Sequence, residues 1–360
     1  MINPDLFSPN TKAIQMRPLL HFTISLLLLS GLSLKAQTIG LESNVDTTQL
    51  FIRIQLDGQT HKMLIDNGAA KTIFFLTKEE RSRFKKISES KVRDAYNRES
   101  SIYIIRKATL EIPEIQFKYK GSFASLEERP LTLQEYDVDG ILGLDILSQM
   151  NYSIQFKTLM FSLDEADAFQ NEDDWFALSM IQSEDQLQAI AIESISNKRQ
   201  VRKDTFTIDL GYNQIACRQK RNDLGDVMGI KLGFTETVLG MKIDSSYFES
   251  MDLILGSLHV HNLPMANESR IESSLLGFQF FKAFNEIYFD NTSQTLWVKK
   301  IKSNVFSFDG ETIFQDRVVA QYIAIEDIHL PRISIGSKVD ANYYNSGYKI
   351  LWPLTVFGAK

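Results

Sequence analysis

Alternation of apolar and polar residues organises most of the chain. Phe51-Ile52-Arg53-Ile54-Gln55-Leu56 alternates as a half-buried strand does. Asp57-Gly58 follows, a dipeptide that favours a two-residue hairpin turn because both central residues must take positive φ. The chain returns through Lys62-Met63-Leu64-Ile65 into Asp66-Asn67-Gly68-Ala69-Ala70, and Thr72-Ile73-Phe74-Phe75 reads as a further short strand. Thr77 with Glu80 three positions on is a capping-box pattern, predicting a short polar helix that reaches about Lys86. Beyond it, the runs from Ile102 to Ile105, Ala108 to Ile112 and Gln116 to Phe123 are β-like. Residues 138–147 are apolar and punctuated by glycine, and 152–163 predict two short strands.

The same landmarks then recur in the same order. Ala189 to Ile195 and Thr205 to Ile208 predict a hairpin whose charged turn, Ser196 to Gln200, is longer than the first, and its returning strand leads into Asp209-Leu210-Gly211. Ser274-Leu275-Leu276-Gly277-Phe278 matches Gly140-Ile141-Leu142-Gly143-Leu144. Ile287-Tyr288-Phe289 matches Ile154-Gln155-Phe156, and Leu296-Trp297-Val298 matches Leu159-Met160-Phe161. An ordered repeat of this kind predicts a duplicated β domain. The acidic residues Asp164, Glu165, Asp167, Glu172, Asp173 and Asp174 suggest a linker over 164–184. The tail, 301–360, has no counterpart in the first half. Its β-like runs from Val318 to Ile325, Arg332 to Ile335 and Lys349 to Val356 predict a β-rich extension.

The N-terminus carries a different pattern. Arg17 precedes an apolar run from Phe22 to Leu34 centred on four leucines, and Leu34-Lys35-Ala36 stands before Gln37. The run is shorter than the ~20 residues a spanning helix needs, so 1–36 reads as a cleaved signal peptide. The expectation is export to the periplasm or the exterior, with no stable membrane insertion afterwards. Hydrophobic residues make up 44% of the chain, with 24 Phe and 12 Tyr, which suits a large strand-rich core. A net charge of −6 without a basic cluster argues against nucleic acid. Cys217 is the single cysteine, which excludes an intrachain disulfide, and it reads as a small buried hydrophobe. His259 and His261 share one face of a strand but have no identifiable third ligand, so no metal is expected. Asn151-Tyr152-Ser153, Asn267-Glu268-Ser269 and Asn291-Thr292-Ser293 fit the glycosylation triplet.

The chemistry concentrates in one constellation that occurs twice. Leu64-Ile65-Asp66-Asn67-Gly68-Ala69-Ala70 pairs with Ile141-Leu142-Gly143, and Thr207-Ile208-Asp209-Leu210-Gly211 pairs with Leu275-Leu276-Gly277. As a set these segments resemble the signature of the pepsin and retropepsin superfamily of aspartic proteases. The resemblance spans residues 45–300, and the first copy is similar to small retropepsin-like domains exported by bacteria. It implies an all-β fold of two pseudo-twofold-related lobes, 40–163 and 185–300, with a cleft between them. It implies an endopeptidase, working as a monomer on peptide or protein substrates with no metal or organic cofactor. Asp66 and Asp209 would be the catalytic pair around one water, sharing a proton because two close carboxylates cannot both ionise. Gly68 and Gly211 would let the backbone pass closely with unusual dihedrals. Gly143 and Gly277 would lie on the strands against which the aspartate loops are threaded. Asp139 and Asp145 read as turn and helix-start residues. Two positions depart from the family, which has Thr or Ser between Asp and Gly to hydrogen-bond across the lobes. Asn67 can still donate and accept, whereas Leu210 can do neither. The alternative is therefore a catalytically impaired module of the same fold that binds peptides or scaffolds in the cell envelope.

Overall fold

The computed structural model describes residues 37–299 except 45–47, 85–86, 94–98, 128, 164–174, 184–185, 197–200, 220–226, 238–239, 269–270 and 272, together with 305–307 and 354–357. The expected signal peptide 1–36, the acidic run 164–174, the turn 197–200 and the tail strands expected at 318–325 and 332–335 lie outside the described residues.

The chain is all-β, with strands interrupted by short helices at Lys78–Ser82, Leu131–Glu135, Leu144–Leu147 and Phe278–Lys282. The first hairpin forms as its sequence dictates. Asp57 and Gly58 take φ of 47° and 84°, and the flanking strands Leu50–Leu56 and Gln59–Ile65 pair with Leu56 opposite Gln59. The capping box at Thr77 and Glu80 is present in both directions. Its helix stops at Ser82, short of Lys86.

Two sets of strands repeat one pairing plan. In the first half the sheet runs Glu42–Ser43, Leu50–Leu56, Gln59–Ile65, Gly140–Leu142, Ile73–Phe75, Phe117–Leu126, Glu99–Ile112 and Ile87–Arg93. A pairing of Gln55 with Glu111 folds it back on itself. In the second half the run is Gln188–Ser196, Val201–Asp209, Ser274–Gly277, Ala216–Gln219, Leu258–Glu268, Gly240–Leu255 and Val227–Thr237. It is folded back by pairing Gln188–Ser196 with Gly240–Leu255. In both, the glycine strand lies parallel to the strand carrying the aspartate and antiparallel to the one that follows it.

A band of six antiparallel strands joins the halves. Its order is Gln37–Gly40, Met160–Leu163, Tyr152–Gln155, Glu286–Asp290, Thr295–Lys299 and Trp175–Gln182, three strands from each half around a central pair. Tyr152 sits at that centre, its ring stacked on Phe161 at 5.0 Å and on Phe289 at 4.7 Å. Such aromatic pairs add about 0.5–1.5 kcal/mol each beyond the area they bury. The main core is continuous through this band, taking in Ile65, Leu142 and Ile146 from one side and Ile208, Leu210 and Leu276 from the other.

Two boundaries shift from the sequence expectation. The expected linker 164–184 contains the strand Trp175–Gln182, because Trp175, Phe176, Leu178 and Met180 are buried and pair with the band and with the next hairpin. Gln37–Gly40 likewise belongs to the band, ahead of the expected domain start at residue 40. The described parts of the tail add to the second half. Val305–Ser307 runs parallel to His259–His261, and Leu354–Phe357 pairs antiparallel with Gly229–Leu232.

Candidate active site

Each aspartate stands where its strand leaves the sheet beside the glycine strand. The Asp66 N–H donates to Leu142 O at 3.1 Å, and Asp209 is in register with Gly277. The loops are threaded so tightly that a Cβ on Gly143 would lie 2.5 Å from the Lys71 carbonyl carbon, and one on Gly277 would lie 2.2 Å from Gln214 O. Any side chain at either position would displace main chain.

The two aspartate loops meet face to face. A Cβ on Gly68 would fall 2.3 Å from Asp209 Cγ, and one on Gly211 would fall 2.4 Å from Asp66 Cγ. Each glycine thus lies against the carboxyl group of the opposite loop, and the carboxyls hydrogen-bond to each other. Dihedral freedom is not the reason for these glycines. Among the described glycines positive φ occurs at Gly58 and Gly256, not at Gly68 or Gly211. What requires glycine here is the absence of a side chain between backbone and carboxyl, a correction to the dihedral expectation.

Backbone donors fix both carboxyls. Asp66 Oδ1 accepts from Gly68 N at 2.8 Å and Ala69 N at 3.2 Å, and Asp209 Oδ1 accepts from Tyr212 N at 2.8 Å. Both aspartates are partly buried residues. Burial raises the pKa of Asp66, opposed by its hydrogen bonds to Asp209 and the loop N–H groups. Asp209 is pushed well above the usual carboxylate range, first by burial and then by the charge of Asp66. The pair therefore titrates as a unit, because two carboxyls in contact cannot both ionise easily.

The residues between Asp and Gly differ sharply. Asn67 is fully buried, and its Nδ2 donates to Tyr152 Oη at 2.8 Å and to Gln188 Oε1 at 3.3 Å. Leu210 is 1% exposed and packs in the core. Next to the first loop, Thr72 donates from N and Oγ1 to Asp145 Oδ1 at 2.8 and 2.7 Å, and its Oγ1 accepts from Gly143 N at 3.1 Å. Asp145 lies in the first turn of the helix Leu144–Leu147, and it also ties the aspartate loop to the glycine strand. Burial raises its pKa. Asp139 holds a turn by accepting from Lys62 N at 2.9 Å and pairing with Arg129 at 3.0 Å.

The other candidates resolve separately. His261 pairs with Asp252 at 3.0 Å, and among the described residues no three His, Cys, Asp or Glu side chains converge as a metal site. Cys217 is fully buried. All three glycosylation triplets use their Asn internally, with Asn151 Oδ1 accepting from Thr292 N and Oγ1 at 3.2 and 3.3 Å. Asn267 is buried between Arg218 and Glu249, and Asn291 Nδ2 donates to the carbonyls of Leu147 and Met150. Among the described residues no helix is long and apolar enough to cross a membrane. Gln188, Asn291, Tyr152 and Thr72 escape a sequence reading, because nothing in an isolated strand or turn marks which polar group will be buried. Comparison with protein-family models and with curated proteins finds no match for this chain.

Proposed function

We propose that the protein is an aspartic endopeptidase, exported to the periplasm or the exterior, whose two halves act as lobes around a peptide-binding cleft. The observation that carries this is the reciprocal contact of Asp66 and Asp209, each carboxyl seated on the glycine of the other's loop. Both carboxyls come from one chain, so the monomer holds a complete pair. Asp66, whose Oδ1 accepts two loop N–H groups where that of Asp209 accepts one, is the base, since such bonds favour the ionised form. It takes a proton from a water whose oxygen bonds to the peptide carbonyl carbon, while Asp209 donates its proton to the carbonyl oxygen. In the second step Asp66 returns its proton to the amide nitrogen as the C–N bond breaks, and a hydroxyl of the diol reprotonates Asp209. No cofactor takes part.

Leu210 favours the second reading, a peptide-binding module of the same fold without turnover, because it offers no hydrogen bond between the loops. A peptide-library digest at acidic and neutral pH separates the two. Wild type should cut and Asp66→Asn should not. Equal cleavage by both would place the activity elsewhere, and peptide binding without cleavage by wild type would leave the second reading standing.

A further inference from the structure

We propose that Gln188 and Asn291 are positioning residues, which with Asn67 form a directed amide chain that holds the two aspartate loops in register; the inference rests on the peptidase reading. The chain starts at Asn67, one residue after Asp66. Asn67 Nδ2 donates to Gln188 Oε1 at 3.3 Å. Gln188 opens the strand Gln188–Ser196, which pairs along the strand bearing Asp209. Gln188 Nε2 donates to Asn291 Oδ1, just past the central strand Glu286–Asp290. Asn291 Nδ2 then donates to Leu147 O at 3.0 Å and Met150 O at 2.6 Å, where the helix after Gly143 ends. The path crosses from the first half to the second and back again.

Its direction is not arbitrary. Carbonyl oxygens only accept, so Asn291 must turn its NH2 towards Leu147 and Met150. That leaves Oδ1 facing Gln188, which must then present its NH2 to Asn291 and its oxygen to Asn67. Asn67 is thereby compelled to donate. Each amide polarises the next, so the chain is stiffer than its separate bonds. Leu210, at the matching place in the second half, contributes no such bond, so the polar tie falls on the Asn67 side alone. Tyr152 completes it from the central band, its hydroxyl accepting from Asn67 while burial keeps the phenol protonated.

The test compares wild type with Gln188→Leu and Gln188→Glu, reading peptide turnover and the titration of the aspartate carboxyls by carbon NMR. Gln188→Leu fills similar space but can neither accept from Asn67 nor donate to Asn291. Its kcat should fall roughly 10²-fold, as for a displacement of about 1 Å, with KM little changed and the aspartate titration moved. Gln188→Glu can serve only while protonated, because an ionised carboxylate has no proton for Asn291. Its kcat should approach wild type at low pH and collapse as the new carboxyl ionises, a titration that wild type lacks. A lower melting temperature in Gln188→Leu with kcat, pH profile and aspartate titration unchanged would reduce Gln188 to packing and overturn the proposal. If wild type cleaves nothing but the aspartate titration still moves in both variants, the peptidase reading fails and the positioning role stands.

Discussion

Adding one carbon at Gly211 should separate the two carboxyls. In Gly211→Ala the new methyl falls 2.4 Å from Asp66 Cγ and Oδ2 and 2.7 Å from Oδ1. Carbon atoms in contact rest at about 3.5–4.0 Å, so Asp66 or the loop must yield by roughly 1 Å. Overpacking of this kind costs about 1–3 kcal/mol. For a chain of this length each kcal/mol lowers the melting temperature by roughly 1–2 °C. A misplacement of that size costs a catalytic group roughly 10²-fold in rate. The moved carboxyl also loses its partner's proton, so the higher of the two aspartate titrations should drop. Gly40→Ala is the control, since nothing lies within 4 Å of its added carbon. The assays are thermal melting, peptide turnover and carbon NMR of the aspartates. If Gly211→Ala matches Gly40→Ala in all three, the loops do not meet as described.

Asp209→Asn should abolish turnover and reshape stability against pH. The folded Asp209 holds its proton above the pH at which the unfolded chain releases it, so wild-type stability is fully present below about pH 4 and declines as pH rises through the raised value. The amide removes that loss, so the melting temperature of the variant relative to wild type should climb between acidic and neutral pH, and a difference independent of pH counts against the shift. Thr72→Val keeps the shape of a fully buried residue but strips one donor from Asp145 and the acceptor from Gly143 N. Urea denaturation should show a loss of about 1–3 kcal/mol, and a loss within error of zero would mean the hydroxyl is idle.

Patterns that are local in sequence carried far. The Asp57-Gly58 turn, the Thr77–Glu80 cap and the strands leading to Asp66 and Asp209 are set by residues within a few positions of each other. Ile87–Arg93 was not foreseen, because Ser88, Glu89, Ser90 and Lys91 carry little apolar signal and the strand exists through pairing with Glu99–Ile112. The long strands Val227–Thr237 and Gly240–Leu255 depend in the same way on each other. At the site the aspartates and glycines were legible as a repeated motif, whereas the partners of Asn67 were not. Gln188 and Asn291 lie 121 and 224 positions further on, and only the fold brings such amides under one loop.

The six-strand band has a consequence for how the molecule is joined. Residues 37–163 supply three of its strands and 175–299 the other three, and the two sets meet in the ladder that pairs Tyr152 with Phe289 and Gln155 with Glu286. The ladder's own hydrogen bonds therefore carry the alignment of the two sets, and the peptide connection between them keeps the fragments concentrated around one another. Nicking that segment would leave two polypeptides with every hydrogen bond of the ladder still available, related to each other as subunits rather than as parts of a chain. Covalent continuity here governs assembly rate and stoichiometry, while the geometry of the paired aspartates belongs to the sheet.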